Sequence, residues 1–243
     1  MSTTEDQAHR RAIVRDSLGV GIATGVYGIS FGAISVASGL SILQTCVLSL
    51  LMFTGASQFA LVGVIASGGS PLSSALTALL LGTRNTLYGL KLAGMLGLQG
   101  PRRVAGAHLV IDESTAMSVL RETRKDARLG FWVTGIAVFL GWNSFTLVGA
   151  VAGAELGDPR TYGLDAAVGA AFLALLWPRL SDRRNQYVAV AAVAVALGLV
   201  PVATAGVPVL AAAGVALLAG FLTRRATDPT ELPEPPEHRG VNP

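Results

Sequence analysis

The chain has 243 residues, 51% of them apolar and 14% charged, with 29 glycines and a mean hydropathy of +0.57. Soluble domains carry about 25% charged residues, so the composition excludes an ordinary soluble protein and a disordered chain, and a single cysteine, Cys46, excludes a disulfide-stapled secreted domain. The net charge of +3 does not point to nucleic acid, because the basic residues cluster at the ends of apolar segments, where they set membrane orientation.

The polar start, residues 1–16 with Arg10, Arg11 and Arg15, has the charge pattern of a signal-peptide n-region, but no charged residue follows from Ser17 to Thr83. That stretch far exceeds the roughly 7–15 apolar residues of a signal sequence. It predicts a cytoplasmic tail over 1–16 and an uncleaved first membrane helix. Charges, prolines and glycine clusters then divide the chain into eight apolar segments, about 17–38, 44–66, 72–98, 104–120, 129–154, 162–178, 186–201 and 206–223. The fold class expected is an all-α polytopic membrane protein with seven or eight transmembrane helices, some of them broken at Gly/Ser-rich stretches. The last two segments are short and read either as tilted spans or as one re-entrant pair. Residues 224–243, with Pro229, Pro233, Pro235 and Pro236 among acidic residues, read as a disordered cytoplasmic tail.

With a cytoplasmic N-terminus and eight crossings, thirteen of the eighteen Lys and Arg residues fall on the inner side. Arg102, Arg103 and Arg160 fall on the outer side, and Arg84 and Lys91 lie inside the third segment. This bias favours a full crossing by 104–120; the alternative for that segment is an amphipathic helix lying in the interface. GASQFALVG (Gly55–Gly63) matches GWNSFTLVG (Gly141–Gly149) at five of nine positions, at an offset of 86. The match predicts three-helix repeats of opposite orientation, 17–103 and 104–190; a chance match within an apolar sequence is the alternative.

A charge near mid-bilayer costs roughly 2.5–3.5 kcal/mol on insertion scales. Arg84 lies near the middle of the third segment, and Tyr88 and Lys91 share its helical stripe, with Asn85 beside it. Lys91 is near enough to a segment end to snorkel. Asp112 and Glu113 are consecutive, so on a helix they diverge by about 100°. One can pair with Arg84 while the other titrates, and desolvation favours the neutral carboxylic acid that a proton-coupling site requires. Gln58 lies mid-segment in FTGASQF, placed either to orient a ligand or to bond a neighbouring helix. The run Gly19–Gly32 carries Gly21-x3-Gly25 and Gly28-x3-Gly32, which suits close helix packing; the alternative is local unwinding over 28–35.

Catalytic chemistry finds little support. Gly55-Ala56-Ser57-Gln58 is similar to the nucleophile turn of intramembrane serine proteases, but a serine needs a base, and the histidines are His9, His108 and His238. No metal cluster, cofactor motif or nucleotide-binding loop is present in the sequence.

YGISFGAI in the first segment, FTGASQFALVGVIASGG in the second, LGTRNTLYGLKL in the third and the Asp112–Glu113 pair in the fourth follow one another in an order that resembles the AzlC family, large subunits of bacterial branched-chain amino acid exporters. The resemblance spans about 17–220. Members often carry Asn-x-Arg-His around the third-segment arginine, where this chain has Gly82, Thr83, Arg84 and Asn85. The resemblance implies a non-enzymatic exporter in the bacterial cytoplasmic membrane that works with a small hydrophobic AzlD-type subunit and expels apolar amino acids. Arg84, Asn85, Gln58 and Tyr88 are the candidate substrate-binding residues, Asp112 and Glu113 the candidate proton-coupling residues, and Phe31 and Phe59 candidate apolar walls. Two rival readings are an intramembrane enzyme centred on Ser57 or the two acids, and a scaffold whose partner forms the path.

Overall fold

The computed structural model describes residues 3–156, 173, 176–204 and 206–226, and all regular structure among them is helical. The chain forms two units, Met1–Arg179 with Thr204–Gly206, and Leu180–Ala203 with Val207–Pro243. Arg160, most of the sixth predicted segment and the tail beyond 226 lie outside the described residues.

Two long helices, α1 (Thr3–Ala37) and α7 (Arg124–Leu156), form the spine of the first unit. Both are long and apolar enough to cross a membrane. The polar residues from Thr3 onward continue α1. Gly21 faces Ala137, Gly25 faces Gly141, Gly28 faces Trp142 and Thr146, and Gly32 faces Thr146 and Ala150. Each step moves in the same direction along both helices, so α1 and α7 run parallel. His9 Nε2, 3.6 Å from the Asp126 carboxylate, joins their starts. The glycine run of α1 therefore serves close packing; residues 28–35 stay helical, and the backbones approach where Cβ atoms are missing.

The fourth predicted segment, 104–120, is a hairpin of two short helices and not one continuous helix. Helix α4 (Pro71–Leu96) opens on Ser70, whose hydroxyl accepts from the Ser73 N–H, and closes on Gly97 in the left-handed region at φ +56°. Arg128 of α7 donates to the carbonyls of Leu96 (2.6 Å) and Gly97 (3.1 Å), fixing the end of α4 beside the start of α7. From there α5 (Gly100–His108) climbs along α7, with Gly106 facing Phe131 and the His108 ring 5.7 Å from that of Phe139. Helix α6 (Asp112–Val119) then returns: the Met117 carbonyl meets Gly130, and the Ser118 hydroxyl donates to the Ala127 carbonyl at 3.3 Å. Both ends of this hairpin lie at the start of α7. Its apex, Leu109–Ile111, is a non-helical apolar run; the Ser114 hydroxyl accepts from the Ile111 N–H (3.1 Å) and donates to the Leu109 carbonyl (2.6 Å), replacing lost helical bonds. Arg102 and Arg103, expected on the outer side, thus share an end with Arg10, Arg11, Arg15 and the 121–128 cluster.

The second predicted segment, 44–66, is also a hairpin, inserted from the other end. Its first arm α2 (Ile42–Leu51) starts on a reciprocal Ser41–Gln44 cap. The chain descends α7 from Thr146, whose hydroxyl is 3.5 Å from that of Ser49, to Phe139, whose ring lies 5.1 Å from Phe53. After Met52–Thr54, α3 (Gly55–Ala66) turns back: Gly55 meets Trp142, and Phe59 packs on Phe31 at 5.6 Å. After a four-residue link α4 begins, and 26 residues at 1.5 Å each place that beginning roughly 39 Å from the end of α4. Both ends of α2–α3 therefore lie away from the start of α7. The breaks fall at Met52–Thr54 and Leu109–Ile111, outside the Gly/Ser-rich stretches.

A long helix and its hairpin (α1, α2–α3) are thus followed by the same arrangement inverted (α4, α5–α6). The arms of the second hairpin follow those of the first by 57–58 residues, not 86: Gly100 follows Ile42 by 58 and Asp112 follows Gly55 by 57. GASQFALVG opens α3, whereas GWNSFTLVG lies inside α7, so the two nonapeptides occupy unlike elements.

Beside the apolar core, small polar side chains are buried and large apolar ones exposed. Ser17, Thr45, Ser49, Thr77, Thr134 and Thr146 are buried, while Leu72, Leu79, Leu87 and Leu90 of α4 are exposed. Small hydroxyl residues between helices and leucines outside is the pattern that lipid imposes. The second unit contains α8 (Arg183–Leu199), capped by Asp182, packed against α9 (Val207–Ala226).

Candidate functional site

The apices of the two hairpins meet beside the middle of α7 and enclose a cavity of about 260 Å³. Helix α4 supplies Arg84 and Asn85, and the first turn of α6 supplies Asp112 and Glu113. Thr54, Gly55 and Ala56, at the start of α3, form the opposite edge, and Phe59, Val138 and Trp142 supply apolar wall. Arg84 Nη2 lies 2.9 Å from Asp112 Oδ2, with each side chain 28% exposed. Arg84 Nε, Asp112 Oδ1, Asn85 Oδ1 and Trp142 Nε1 are buried and without a protein hydrogen-bond partner among the described residues. Buried polar atoms of this kind are normally satisfied, and the residues that carry them line the cavity. Thr24 of α1 lies beside the Glu113 carboxylate on the cavity lining. The two acids occupy the positive end of the α6 dipole, which stabilises negative charge.

Arg84, Asn85, Asp112 and Glu113 are thus brought together as the sequence led one to expect. Consecutive acids diverge, so Asp112 meets Arg84 and Glu113 meets Thr24. Gln58 lies behind the cavity, fully buried, with its amide donating to the Leu48 and Ser49 carbonyls at 3.4 Å each. The Leu48 carbonyl also accepts from the Met52 N–H, so it is the Ser49 carbonyl, freed where α2 ends, that Gln58 covers. Tyr88 packs against the apolar core and Lys91 is exposed on α4; neither lines the cavity. Phe59 is a wall residue, while Phe31 stands behind Trp142 at 6.0 Å between ring centroids. His108 and Asp112 are separated by the hairpin break and do not share a helical face; His108 Nε2 instead lies 3.0 Å from the Leu50 carbonyl and ties the two apices together. The Ser57 hydroxyl accepts from Thr54 at 3.4 Å and does not line the cavity. Sequence reasoning passed over Thr24, Thr54 and Trp142. The one available signal was a tryptophan, with an N–H needing a partner, in the middle of an apolar segment.

A family model described as AzlC protein matches residues 19–156, a span that contains every cavity residue. The chain belongs to the AzlC family. This AzlC protein is 32% identical over 219 residues to the inner membrane protein YgaZ of Escherichia coli, covering 86% of each chain. An uncharacterized membrane protein of Archaeoglobus fulgidus is 32% identical over 195 residues, 79% of this chain and 85% of that one. One from Helicobacter pylori is 24% identical over 178 residues, covering 71% and 77%. No solved structure matches the AzlC protein. It is a helical polytopic membrane protein of a transport-associated family.

Proposed function

We propose that the protein is a secondary-active exporter subunit for branched-chain or other apolar amino acids, driven by the proton-motive force and working with a small AzlD-type membrane subunit in the bacterial cytoplasmic membrane. The observation that carries this reading is the cavity where two oppositely inserted hairpins meet, since discontinuous helices of inverted repeats hold substrate at the midplane of many transporters. Its volume is below the roughly 300–1,000 Å³ of drug-sized sites, which suits a single amino acid. An ion pair, a second acid and an apolar wall match a zwitterion with an apolar side chain. Arg84 neutralises Asp112, Asn85 orients the ligand, and Gln58 and Tyr88 hold the surrounding helices in place. Glu113, the acid of the pair that is not in the Arg84 ion pair, takes the coupling proton and faces the substrate ammonium. The test is valine movement in proteoliposomes containing both subunits, driven by an imposed pH gradient and collapsed by a protonophore.

The hairpins also sharpen the orientation. With Arg102 and Arg103 on the side of the N-terminus, Arg160 is the one basic residue that the sequence count leaves on the opposite side. The positive-inside rule then supports a cytoplasmic start for α7. In a Cys46→Ser background, Arg103→Cys and Lys125→Cys are expected to resist a membrane-impermeant maleimide in intact cells, while Ser67→Cys reacts. Labelling of Arg103→Cys from outside would restore a crossing by 104–120.

A further inference from the structure

Arg10, Arg11 and Arg15, near the start of α1, take no part in the central cavity, yet they head a second concavity. A groove of about 650 Å³ opens between α1 and the start of α7. The three arginines line one end of it; further along α1 it is lined by Leu18, Gly19 and Ile22, with Leu129 of α7 beside them. We propose that this groove binds an anionic phospholipid, its phosphate held by the arginines and an acyl chain lying along residues 18–22.

Helix register explains why charge and apolar surface share one groove. Residues three and four apart lie on one face of a helix, so Arg11, Arg15, Leu18 and Ile22 form a single stripe. Ile13 and Ser17, both fully buried, mark the opposite side of α1. Leu18 is 46% and Ile22 66% exposed, and no atom lies within 4 Å of the Cβ position at Gly19, so the apolar floor is open. From Arg15 to Ile22 the helix rises roughly 10 Å at 1.5 Å per residue, within the roughly 15 Å of hydrocarbon in one leaflet. The arginine end and the apolar floor are therefore spaced as a headgroup and the first part of an acyl chain are.

The positive charge at the arginine end is in surplus. Asp16 engages Arg15 at 3.2 Å on the exposed surface, whereas Arg10 and Arg11 form no ion pair among the described residues. Glu5 and Asp6 do not line the groove, and Asp126 at the start of α7 is occupied by His9 and Thr123. A guanidinium meets a phosphate through parallel N–H···O bonds, and its methylene stem lies on apolar surface while the charged head reaches the interface. Basic pockets between helices at a membrane surface hold lipid headgroups on that ground. A zwitterionic lipid brings a cation of its own to the same arginines, and a free anion leaves the apolar floor uncovered. Binding here is independent of what the central cavity carries.

The test is native mass spectrometry of the full-length chain released from nanodiscs made with equal parts of phosphatidylglycerol and phosphatidylcholine. The wild type is expected to retain phosphatidylglycerol over phosphatidylcholine by about 25-fold, roughly fivefold for each unpaired arginine. Arg10→Gln combined with Arg11→Gln is expected to bring that ratio close to one. Arg103→Gln combined with Lys125→Gln removes the same charge at exposed positions outside the groove and is expected to keep the preference. Gly19→Leu, which fills the floor without a clash, is expected to reduce phosphatidylglycerol retention, while excess inorganic phosphate does not displace the lipid from the wild type. Equal retention of the two lipids by the wild type, or equal losses in the two double variants, would overturn the site. Displacement by inorganic phosphate would leave a simple anion site and overturn the lipid assignment. Displacement by a coexpressed small subunit would make the groove a protein interface and overturn it equally; none of these outcomes touches the exporter reading.

Discussion

Arg84→Ala is expected to abolish export and to lower the stability of the membrane-inserted protein, whereas Arg84→Ala combined with Asp112→Asn is expected to recover most of the stability and none of the export. Removing one partner of a fully buried ion pair costs about 3–5 kcal/mol, chiefly because the other charge is left uncompensated. Here both side chains retain 28% exposure, so about 2 kcal/mol is the appropriate scale. Neutralising Asp112 removes that stranded charge, which is why the double variant refolds. It does not restore the cation that ties α4 to the apex of the α5–α6 hairpin, so transport stays lost. Thermal unfolding monitored by size-exclusion chromatography separates the two effects, with substrate efflux read on the same preparations. A single variant that exported normally would remove Arg84 from the mechanism.

The second large effect is steric. A Cβ at Gly32 would collide with the Thr146 carbonyl, and one at Gly149 with the Ile29 carbonyl. In both cases the obstacle is backbone, which cannot rotate aside as a side-chain end can. Overpacking a core side chain costs about 1–3 kcal/mol; separating two backbones along the α1–α7 seam costs at least the upper part of that range. Gly32→Val and Gly149→Val are therefore expected to yield little or no folded protein. Gly89 and Gly94 of α4 have no atom near the Cβ position. Gly89→Ala or Gly94→Ala is expected to be neutral or to stabilise by up to about 1 kcal/mol through helix propensity. Equal yields of Gly32→Val and Gly89→Ala would contradict the parallel packing of α1 on α7.

The membrane class was legible because hydropathy and charge placement depend on local composition alone. The same holds for the cluster of Arg84, Asn85, Asp112 and Glu113, since a charge inside an apolar segment advertises itself. The hairpins were not legible. An apolar stretch such as 44–66 has the length of a span, and nothing in its composition shows that the chain reverses at Met52–Thr54. The reversal depends on remote partners: Gln58 covering the Ser49 carbonyl, Trp142 against Gly55, and His108 reaching the Leu50 carbonyl. At 109–111 a hydroxyl, that of Ser114, takes over bonds that the helix gives up. Positive-inside counting accepted a crossing by 104–120 because Arg102 and Arg103 were few enough to place on either side. The role of Gln58 was likewise ambiguous in sequence, because a mid-segment amide serves a ligand or a broken helix equally well.

The central proposal, that Glu113 and its cavity couple proton entry to amino acid exit, is tested most directly in proteoliposomes containing this chain and the proposed AzlD-type subunit, with radiolabelled valine and an imposed pH gradient. The expected result is gradient-dependent valine movement by the wild type, lost in Glu113→Gln, with gradient-independent valine exchange retained by that variant. Gradient-driven movement that persists unchanged in Glu113→Gln would contradict the account.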